Sequence, residues 1–165
     1  ATRGAYQYLF ETRRVQKTYE AVSALPEDWD PEQPALAGHP LPHTHRNRID
    51  KQRGELRVRV DDVREPNSET LIELIGADDR VVHTRLSPHS GKMHQLRVHR
   101  AALGAGILND PFYPVLHPEA PDDFARPMQL LARELRFTDP LSGAERVFTT
   151  RRRLQEAPGG APAGD

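Results

Sequence analysis

The chain has 165 residues, enough for one domain with its own hydrophobic core. It contains no cysteine, which excludes disulfides, thiolate metal sites and a cysteine nucleophile, and it has no apolar run of the roughly 18 residues that span a bilayer. Its 23 Lys and Arg against 24 Asp and Glu give a net charge of -1, so total charge does not indicate a nucleic-acid-binding protein. These features predict a cytoplasmic protein without a membrane segment.

Local charge is more informative than total charge. From Arg80 to Asn109 the chain has five basic residues, four of its eight histidines and no Asp or Glu. The basic residues of this stretch are Arg80, Arg85, Lys92, Arg97 and Arg100. A patch of one sign in a nearly neutral protein concentrates its field on a polyanion, whereas the alternative is a basic face that contacts only water.

The first elements along the chain are a helix and a strand. The pattern of residues 3–13 predicts a short helix. Residues 15–22 have the composition of a strand, and strand geometry places Lys17 and Tyr19 on the same face. Residues 26–47 then carry five prolines with little periodicity, and they predict a long, exposed and mobile loop or insertion.

Five later segments have the alternation or composition of strands: residues 55–60, 70–75, 81–86, 130–137 and 145–150. A short turn with Gly and Asp separates the second and third, which therefore predict a hairpin. Residues 92–104 predict a buried helix that ends at Gly104, because apolar residues lie on two of its sides. We expect one domain over residues 1–152 and a disordered, low-complexity tail over residues 153–165.

Arg97 lies within this helix of two apolar sides. A guanidinium group removed from water costs several kcal/mol unless a carboxylate or phosphate faces it. No acidic residue is close to Arg97 in the sequence, so we expect its partner to be distant in sequence, on a ligand or outside this chain. The alternative is that its long aliphatic stem lets the charge reach solvent.

The stretch RLSPHSGKMHQLRVHRAALGAGILND, from Arg85 to Asp110, resembles the third conserved motif of RluA-like RNA pseudouridine synthases. That motif has the form P-x-T-G-R-x-H-Q-[IL]-R-V-H, followed by A-A-L-G and I-L-G-D. LFETRRVQKTYEAV is similar to the family's segment ending in K-x-Y-x-A, and LLARELRFTDPLSGAERVF is similar to its closing strands. The resemblance covers most of residues 3–150. It implies an α+β fold, part of a catalytic domain with a mixed, largely antiparallel sheet and a few helices.

The resemblance also implies an isomerase activity. Enzymes of this family convert uridine in RNA to its C5-glycoside, pseudouridine, with an aspartate nucleophile and without a cofactor or metal. The implied partner is structured ribosomal or transfer RNA, in which the uridine must be swung out before its glycosidic bond can be reached. By resemblance, Arg97 would keep the aspartate ionised, and Tyr19 would lie against the uracil ring as a candidate for proton transfer at C5. The alternative for Tyr19 is an ordinary half-buried strand residue.

Six further residues are candidates for contacts with uracil or RNA: Lys17, Arg85, Lys92, His94, Gln95 and Leu96. The resemblance implies that Leu96 packs at the base. Lys92 stands where the family has Arg and keeps the charge without the bidentate fork, so we expect it to anchor a phosphate. His94 is also expected to have a structural role, as is His99.

The family's H-R-L-D segment, which carries the nucleophile, occurs nowhere in these residues. We expect it upstream of Ala1, with the N-terminal half of the catalytic domain, and we expect the chain alone to be inactive. A second hypothesis is a non-catalytic RNA-binding module of the same fold that has lost its nucleophile. A third is a fragment that associates with a partner chain supplying the rest of the sheet. The sequence leaves the oligomeric state open.

Three histidines, His39, His43 and His45, are spaced closely enough to bind a metal ion. Two neighbouring prolines and the lack of a regular pattern favour a loop in which these histidines are close by accident. The sequence therefore predicts no metal site here.

Overall fold

One antiparallel sheet dominates the computed structural model of the chain, which describes residues 2–12, 14–117 and 123–159. The elements in chain order are α1 (Thr2–Glu11), β1 (Gln16–Ala24), β2 (Ala35–Leu36), β3 (His39–Pro40), β4 (His43–Asp50), β5 (Arg59–Asp61), β6 (Ser68–Ala77), β7 (Val81–Pro88), α2 (Gln95–Ala102), β8 (Leu130–Thr138) and β9 (Glu145–Thr149). The sheet has seven strands in the order β5-β4-β6-β7-β1-β8-β9, and β2 pairs separately with β3. The α+β class with a largely antiparallel sheet is confirmed.

The main core includes apolar side chains of the sheet and of helix α2. Ile72 of β6 and Leu86 of β7 are fully buried, and Leu96 and Leu103 belong to the same cluster. Tyr19 packs against this cluster and lies opposite Leu86 in the register of β1 and β7. The core therefore fixes α2 next to the strand that carries Tyr19.

Several elements agree with the sequence patterns. The strand expected at residues 15–22 is β1, and the hairpin expected from two later segments is formed by β6 and β7. The helix expected over residues 92–104 is shorter, because His94 has a left-handed backbone with φ of 56° and α2 starts after it. Gly104, with φ of 65°, follows the end of α2 as expected.

The stretch 26–47 is not the exposed, mobile loop that its prolines predict. Leu36 of β2 is fully buried in the main core, and β4 begins at His43 and pairs with β6. Composition hides β4 because one of its buried side chains, Asn47, is polar, so the apolar alternation that marks a strand is absent.

The prediction of a strand at residues 55–60 is mostly wrong. Strand β5 covers only Arg59–Asp61, and the apolar side chains of Leu56 and Val60, which are part of the alternation in this segment, are exposed. Val58 alone is buried, in a second apolar cluster that includes Val98 of α2. The segment around Val58 packs against α2, so its alternation of apolar and polar residues does not come from pairing in the sheet.

The predicted disordered tail is partly ordered. Leu154 is buried in a third cluster with Val22 and Val81, and the backbone N–H of Glu156 donates to the side-chain oxygen of Gln129 at 3.0 Å. Residues 160–165 lie outside the described residues. No helix within residues 2–12, 14–117 and 123–159 is long and apolar enough to cross a membrane.

Polar side chains are buried between α2 and the sheet. The ring of His99 is fully buried, with Nδ1 2.9 Å from Thr70 Oγ1 and Nε2 2.9 Å from Asn47 Oδ1. Ser68 Oγ lies 3.0 Å from the same Nε2, and the His45 ring packs edge-on at 4.8 Å between centroids. Burial lowers the pKa of His99 to about 3, so the ring is neutral and ties α2 to β4 and β6.

We expect His99→Asn to make the intact protein's stability less sensitive to acid. The unfolded chain binds the His99 proton more tightly than the folded one. The contribution of His99 to stability is therefore complete above pH 6.5 and is lost as the pH falls from 6.5 towards 3. Urea unfolding at several pH values should give a shallower decline for H99N than for wild type, although H99N is less stable at pH 7. His117 is exposed, so His117→Asn should keep the wild-type dependence of stability on pH. Equal slopes for wild type and H99N would contradict the prediction.

Arg100 buries a positive charge without a carboxylate among the described residues. Its Nη2 donates to Ser23 Oγ at 2.9 Å, while Nε and Nη1 have no partner in the described part of the chain. Burial lowers the pKa of Arg100 to about 10, so the group is still charged at pH 7. Such a charge is expensive to bury, and Arg100 therefore destabilises the fold relative to an apolar side chain of similar size.

We expect Arg100→Met to raise the free energy of unfolding by about 1–4 kcal/mol, as apolar replacements of buried charges do. Ser23 keeps its other bond, from Oγ to the carbonyl oxygen of Ala105 at 2.7 Å. The urea midpoint of the intact protein measures the change. Arg133→Met is the matched control and should lower stability, because Arg133 pairs with Glu20 at 2.6 Å. A destabilised R100M would show that Arg100 has a compensating partner.

Candidate active site

A cavity of about 270 Å³ opens beside the N-terminal end of α2. It is bounded by β1, by the turn that follows β7 and by the first turn of α2. Seven of the eight residues predicted for the site line it: Lys17, Tyr19, Lys92, His94, Gln95, Leu96 and Arg97. The fold therefore brings together two sequence segments that are far apart in the chain, while the roles of the individual residues stay predictions.

Arg85 lies elsewhere. In the register of the sheet Arg85 is opposite Glu20 of β1 and Glu73 of β6, whereas Leu86 is opposite Tyr19. Successive side chains alternate across a strand, so Arg85 is on the face opposite to Tyr19, where it is exposed. The structure does not bring Arg85 into the cavity, and a contact of Arg85 with RNA stays a prediction.

Arg97 is paired with an acidic residue of its own chain. Its Nε donates to Asp110 Oδ2 at 2.8 Å and its Nη2 donates to Asp110 Oδ1, which makes the pair bidentate. The side chain of Arg97 is 13% exposed and that of Asp110 is 0% exposed, so the pair is largely out of water. Of the partners expected for Arg97, the structure shows an acid of the same chain that lies 13 residues away in the sequence.

The backbone after α2 brings Asp110 back to the helix. Gly104 and Asn109 have left-handed φ angles of 65° and 61°, a conformation that Gly and Asn adopt more readily than other residues. Asp110 Oδ1 also accepts the backbone N–H groups of Phe112 at 2.8 Å and Tyr113 at 3.2 Å. The carboxylate is therefore held by the backbone as well as by the guanidinium.

The outer side of Arg97 remains available to a ligand. A guanidinium has five N–H donors, and Arg97 uses two of them, both on Asp110. Its Cζ lies 4.7 Å from the ring centroid of Phe112 and 5.3 Å from that of Tyr113, and these contacts restrict its rotation. Three donors of a cavity-lining arginine thus have no partner among the described residues.

Gln95 fastens the turn before α2 to the sheet. Its Nε2 donates to the carbonyl oxygen of Glu69 and to Thr70 Oγ1, both at 2.9 Å. Its Oε1 accepts from Ser90 Oγ at 2.7 Å and from the backbone N–H of Lys92 at 3.1 Å. All donors and acceptors of the amide are engaged, which supports a structural role in place of the predicted RNA contact.

His94 forms a hydrogen bond with the buried aromatic residue Tyr113. Its Nδ1 lies 3.1 Å from the Tyr113 hydroxyl, which also accepts the backbone N–H of Val58 at 2.9 Å. Because the hydroxyl is an acceptor towards Val58, its own proton is available to Nδ1. Burial and the charge of Arg97 lower the pKa of His94, an effect that Asp110 partly offsets. The neutral ring is therefore favoured, in agreement with a structural role.

The wall of the cavity is positively charged. Lys17, Lys92 and Arg97 line it, and no Asp or Glu does so among the described residues. The Nζ of Lys17 lies 5.3 Å from the ring centroid of Phe10, which places this charge between α1 and the cavity. Such a wall favours an anionic or strongly hydrogen-bond-accepting ligand.

A larger groove of about 500 Å³ adjoins the cavity and reaches the side chain of Phe10 on α1. Several residues line both spaces: Lys17, Pro88, Ser90 and Gly91. Phe10, Val15 and Leu71 give the groove an apolar lining, and Phe10 is half exposed.

The histidines at positions 39, 43 and 45 form a column of rings. The centroid of His43 is 4.4 Å from that of His39, in a stacked arrangement, and 5.9 Å from that of His45. Within the described residues no group of three or more His, Asp or Glu side chains is arranged to hold a metal ion. Stacking of His39 on His43 places the faces of these two rings, and not their nitrogens, towards each other.

Two residues that shape this site have no assigned role in the sequence analysis. Asp110 ends the motif that resembles pseudouridine synthases, but its spacing from Arg97 does not reveal a contact across a turn. The signal for it is the following Pro111, which ends any regular element and makes a reversal plausible. Tyr113 carries no pattern that distinguishes it from an ordinary loop aromatic.

Comparison with known proteins bears on this geometry. No protein-family model matches the chain. Over 71 residues, 43% of the chain, it is 45% identical to the dual-specificity RNA pseudouridine synthase RluA of Yersinia pestis. Over 96 residues, 58% of the chain, it is 35% identical to the protein of the same name from Haemophilus influenzae. The chain is related to RNA pseudouridine synthases. These matches span 33% and 42% of the two relatives' length, so each covers less than half of the relative.

Solved structures show the same relation at the level of the fold. Human RNA pseudouridylate synthase domain containing 1 superposes with a TM-score of 0.65 at 26% identity, over 90% of this chain and 59% of that chain. Human RNA pseudouridylate synthase domain containing 4 gives a TM-score of 0.62 at 20% identity, over 91% and 62% of the two chains, and shows the fold alone. The pseudouridine synthase-like fold implied by the motif is confirmed.

We expect Asp110→Asn to lower the free energy of unfolding of the intact protein by about 3–5 kcal/mol, the cost of breaking a buried ion pair. The new amide can accept the same backbone N–H groups but cannot neutralise Arg97. Urea unfolding measures the loss. Asp123→Asn makes the same change in an exposed pair with Arg126 and should leave the midpoint almost unchanged. Similar small effects at both positions would contradict the buried character of the Arg97 pair.

Proposed function

We propose that this chain forms the uracil-binding side of an RNA pseudouridine synthase active site. In this proposal the intact protein converts uridine to pseudouridine in structured ribosomal or transfer RNA, and the aspartate nucleophile comes from residues outside these 165. The observation that carries the proposal is the cavity in which Tyr19, Leu96 and Arg97 meet beside Lys17 and Lys92. The relation to pseudouridine synthases supports it over part of the chain.

The lining of the cavity suits a pyrimidine. Uracil has two flat apolar faces and carbonyl oxygens at its edge. Tyr19, Leu96 and Leu130 provide aromatic and aliphatic surface for the faces. The unpaired N–H donors of Arg97 can bond a carbonyl oxygen of uracil or an oxygen of a carboxylate. A base swung out of an RNA helix can therefore be held by apolar contact and by directed hydrogen bonds.

The charges around the cavity suit an ionised nucleophile. An aspartate on the outer side of Arg97 would accept bonds from donors that Asp110 leaves free, and bonds to the charged form keep a carboxylate ionised. The Arg97 and Asp110 pair has no net charge, so a further positive field must come from Lys17 and Lys92. The same lysines can attract the phosphates on either side of the uridine.

The reaction needs no redox partner. The bond between N1 of the base and C1′ of the ribose breaks, and a bond between C5 and C1′ forms. C5 loses its proton and N1 gains one, so atoms and electrons balance without a cofactor. The hydroxyl of Tyr19 makes no hydrogen bond to a described residue, which leaves it free to move the proton at C5.

The groove that reaches α1 is where we place the segment that supplies the nucleophile. It shares Lys17, Ser90 and Gly91 with the cavity, so a chain that packs in it arrives directly at the uracil site. Phe10 and Leu71 give that chain apolar surface to cover. This arrangement makes the rest of the catalytic domain the first partner of the chain.

We expect Tyr19→Phe and Arg97→Lys to lower the turnover of the intact protein by about 10²–10⁴-fold, as loss of a proton-transfer group or of a directed electrostatic contact does. RNA affinity should change only a few-fold, because the lysines that bind phosphate remain. Unmodified ribosomal and transfer RNA transcripts serve as substrates, with pseudouridine formation and RNA binding measured separately. Arg85→Ala is the control, since Arg85 lies on the other face of the sheet. Wild-type turnover in the Arg97 variant would end the proposed role.

A non-catalytic RNA-binding module is the second candidate function. One observation favours it: Asp110 already neutralises Arg97, so the fold does not require another acid. Such a module would bind RNA with steep salt dependence and leave every uridine unmodified. An H-R-L-D segment in the residues that precede this chain in the intact protein would favour the enzyme. Size-exclusion of the isolated chain tests the third hypothesis, association with a partner chain.

A further inference from the structure

The hairpin of β4 and β5 reaches the candidate active site through a cluster of its own. Ile49 and Val58 flank the tip of this hairpin and are buried with Val98 of α2 and with Tyr113. This cluster is separate from the main core. The hairpin is therefore fixed to the helix that carries Arg97, although it is distant from Arg97 in sequence.

Tyr113 contacts both the hairpin and the wall of the cavity. Its hydroxyl accepts the N–H of Val58 on one side and bonds His94 on the other. Its ring contacts two guanidinium groups, with the Cζ of Arg57 4.7 Å and the Cζ of Arg97 5.3 Å from the ring centroid. Arg57 is thus one side chain away from the cavity and is held there by an aromatic ring that is 3% exposed.

The charge of Arg57 has no partner in the part of the chain that the structure describes. Arg97 next to it has Asp110, whereas Arg57 forms neither a hydrogen bond nor an ion pair with a described residue and is half-buried. Two cations around one ring repel each other, and only one of them is neutralised. An anion bound at Arg57 would relieve this imbalance.

We propose that Arg57 binds a backbone phosphate of the RNA beside the uridine that enters the cavity. This inference rests on the proposed function and extends the site from the uracil motif to the β4–β5 hairpin. A planar guanidinium seated on a ring keeps a fixed edge for two oxygens of one phosphate. Lys92 on the cavity wall is suited to a second phosphate, so the two contacts bracket the flipped nucleotide.

Arg57→Met in the intact protein tests the proposal, because Met keeps an aliphatic stem on Tyr113 and removes the charge with its N–H donors. Binding of an unmodified RNA transcript is measured at several salt concentrations. We expect about tenfold weaker binding at low salt, as for loss of a charged hydrogen bond. The slope of log affinity against log salt concentration should be smaller in magnitude by about 0.7–0.9. Arg57→Lys should restore the slope but not the full affinity.

Arg59→Met is the matched control, since Arg59 lies on the same hairpin, is exposed and makes no ion pair with a described residue. It should leave slope and affinity close to wild type. An unchanged slope in Arg57→Met, or an equal loss in both variants, would overturn the proposal. A thermal unfolding midpoint equal to wild type shows that the variants are folded.

The outcomes for Arg57 and for the proposed function are distinguishable. A wild-type protein that binds RNA and forms no pseudouridine, with a reduced slope in Arg57→Met, overturns the enzyme proposal and supports the phosphate contact. A wild-type protein that forms pseudouridine, with an unchanged slope in Arg57→Met, supports the enzyme and overturns the phosphate contact.

Discussion

The bidentate pair between Arg97 and Asp110 is the interaction on which the candidate active site depends. A guanidinium can stay in the wall of a cavity, largely out of water, only if a carboxylate neutralises it. That carboxylate is placed by a left-handed turn at Asn109 and by two backbone N–H groups, so α2 and the loop after it are fixed as one unit. The remaining donors of Arg97 then have a defined direction, which a freely rotating arginine would lack.

Helix α2 is positioned by polar bonds as much as by apolar contact. Asn47 Oδ1 can only accept, so the proton of the neutral His99 ring is on Nε2. Gln95 and His99, one turn apart, both reach Thr70 Oγ1, which accepts from the Gln95 amide and donates its proton to the unprotonated His99 Nδ1. A chain of bonds with one consistent direction fixes the rotation of the helix, and so decides that Arg97 faces the cavity while Arg100 faces Ser23.

Sequence patterns predict this protein well where apolar alternation or a family motif marks an element, and poorly where polar residues are buried. The β6–β7 hairpin and the meeting of Tyr19 with Arg97 follow from such signals. Strand β4 does not, because the buried Asn47, whose Oδ1 lies 2.9 Å from His99 Nε2, is polar and of a residue type that usually marks a loop. The buried arginine without a described acid is Arg100 and not Arg97. Helical periodicity cannot tell Arg97, which Asp110 meets across a turn, from Arg100, which no described acid meets.

The pairing of Arg97 changes how the charge of the site must be understood. A lone arginine would provide both the hydrogen bonds and the positive field that keep a nucleophilic carboxylate ionised. Once Asp110 neutralises its charge, Arg97 can still donate hydrogen bonds to a nucleophilic carboxylate. It contributes little positive field, because the ion pair has no net charge. The field must then come from Lys17 and Lys92, which line the same cavity and form no ion pair with a described residue. Arg97 therefore provides the directed hydrogen bonds at the base, whereas Lys17 and Lys92 attract the phosphates. Further phosphate-binding residues can lie outside the motif without disturbing the contacts with uracil.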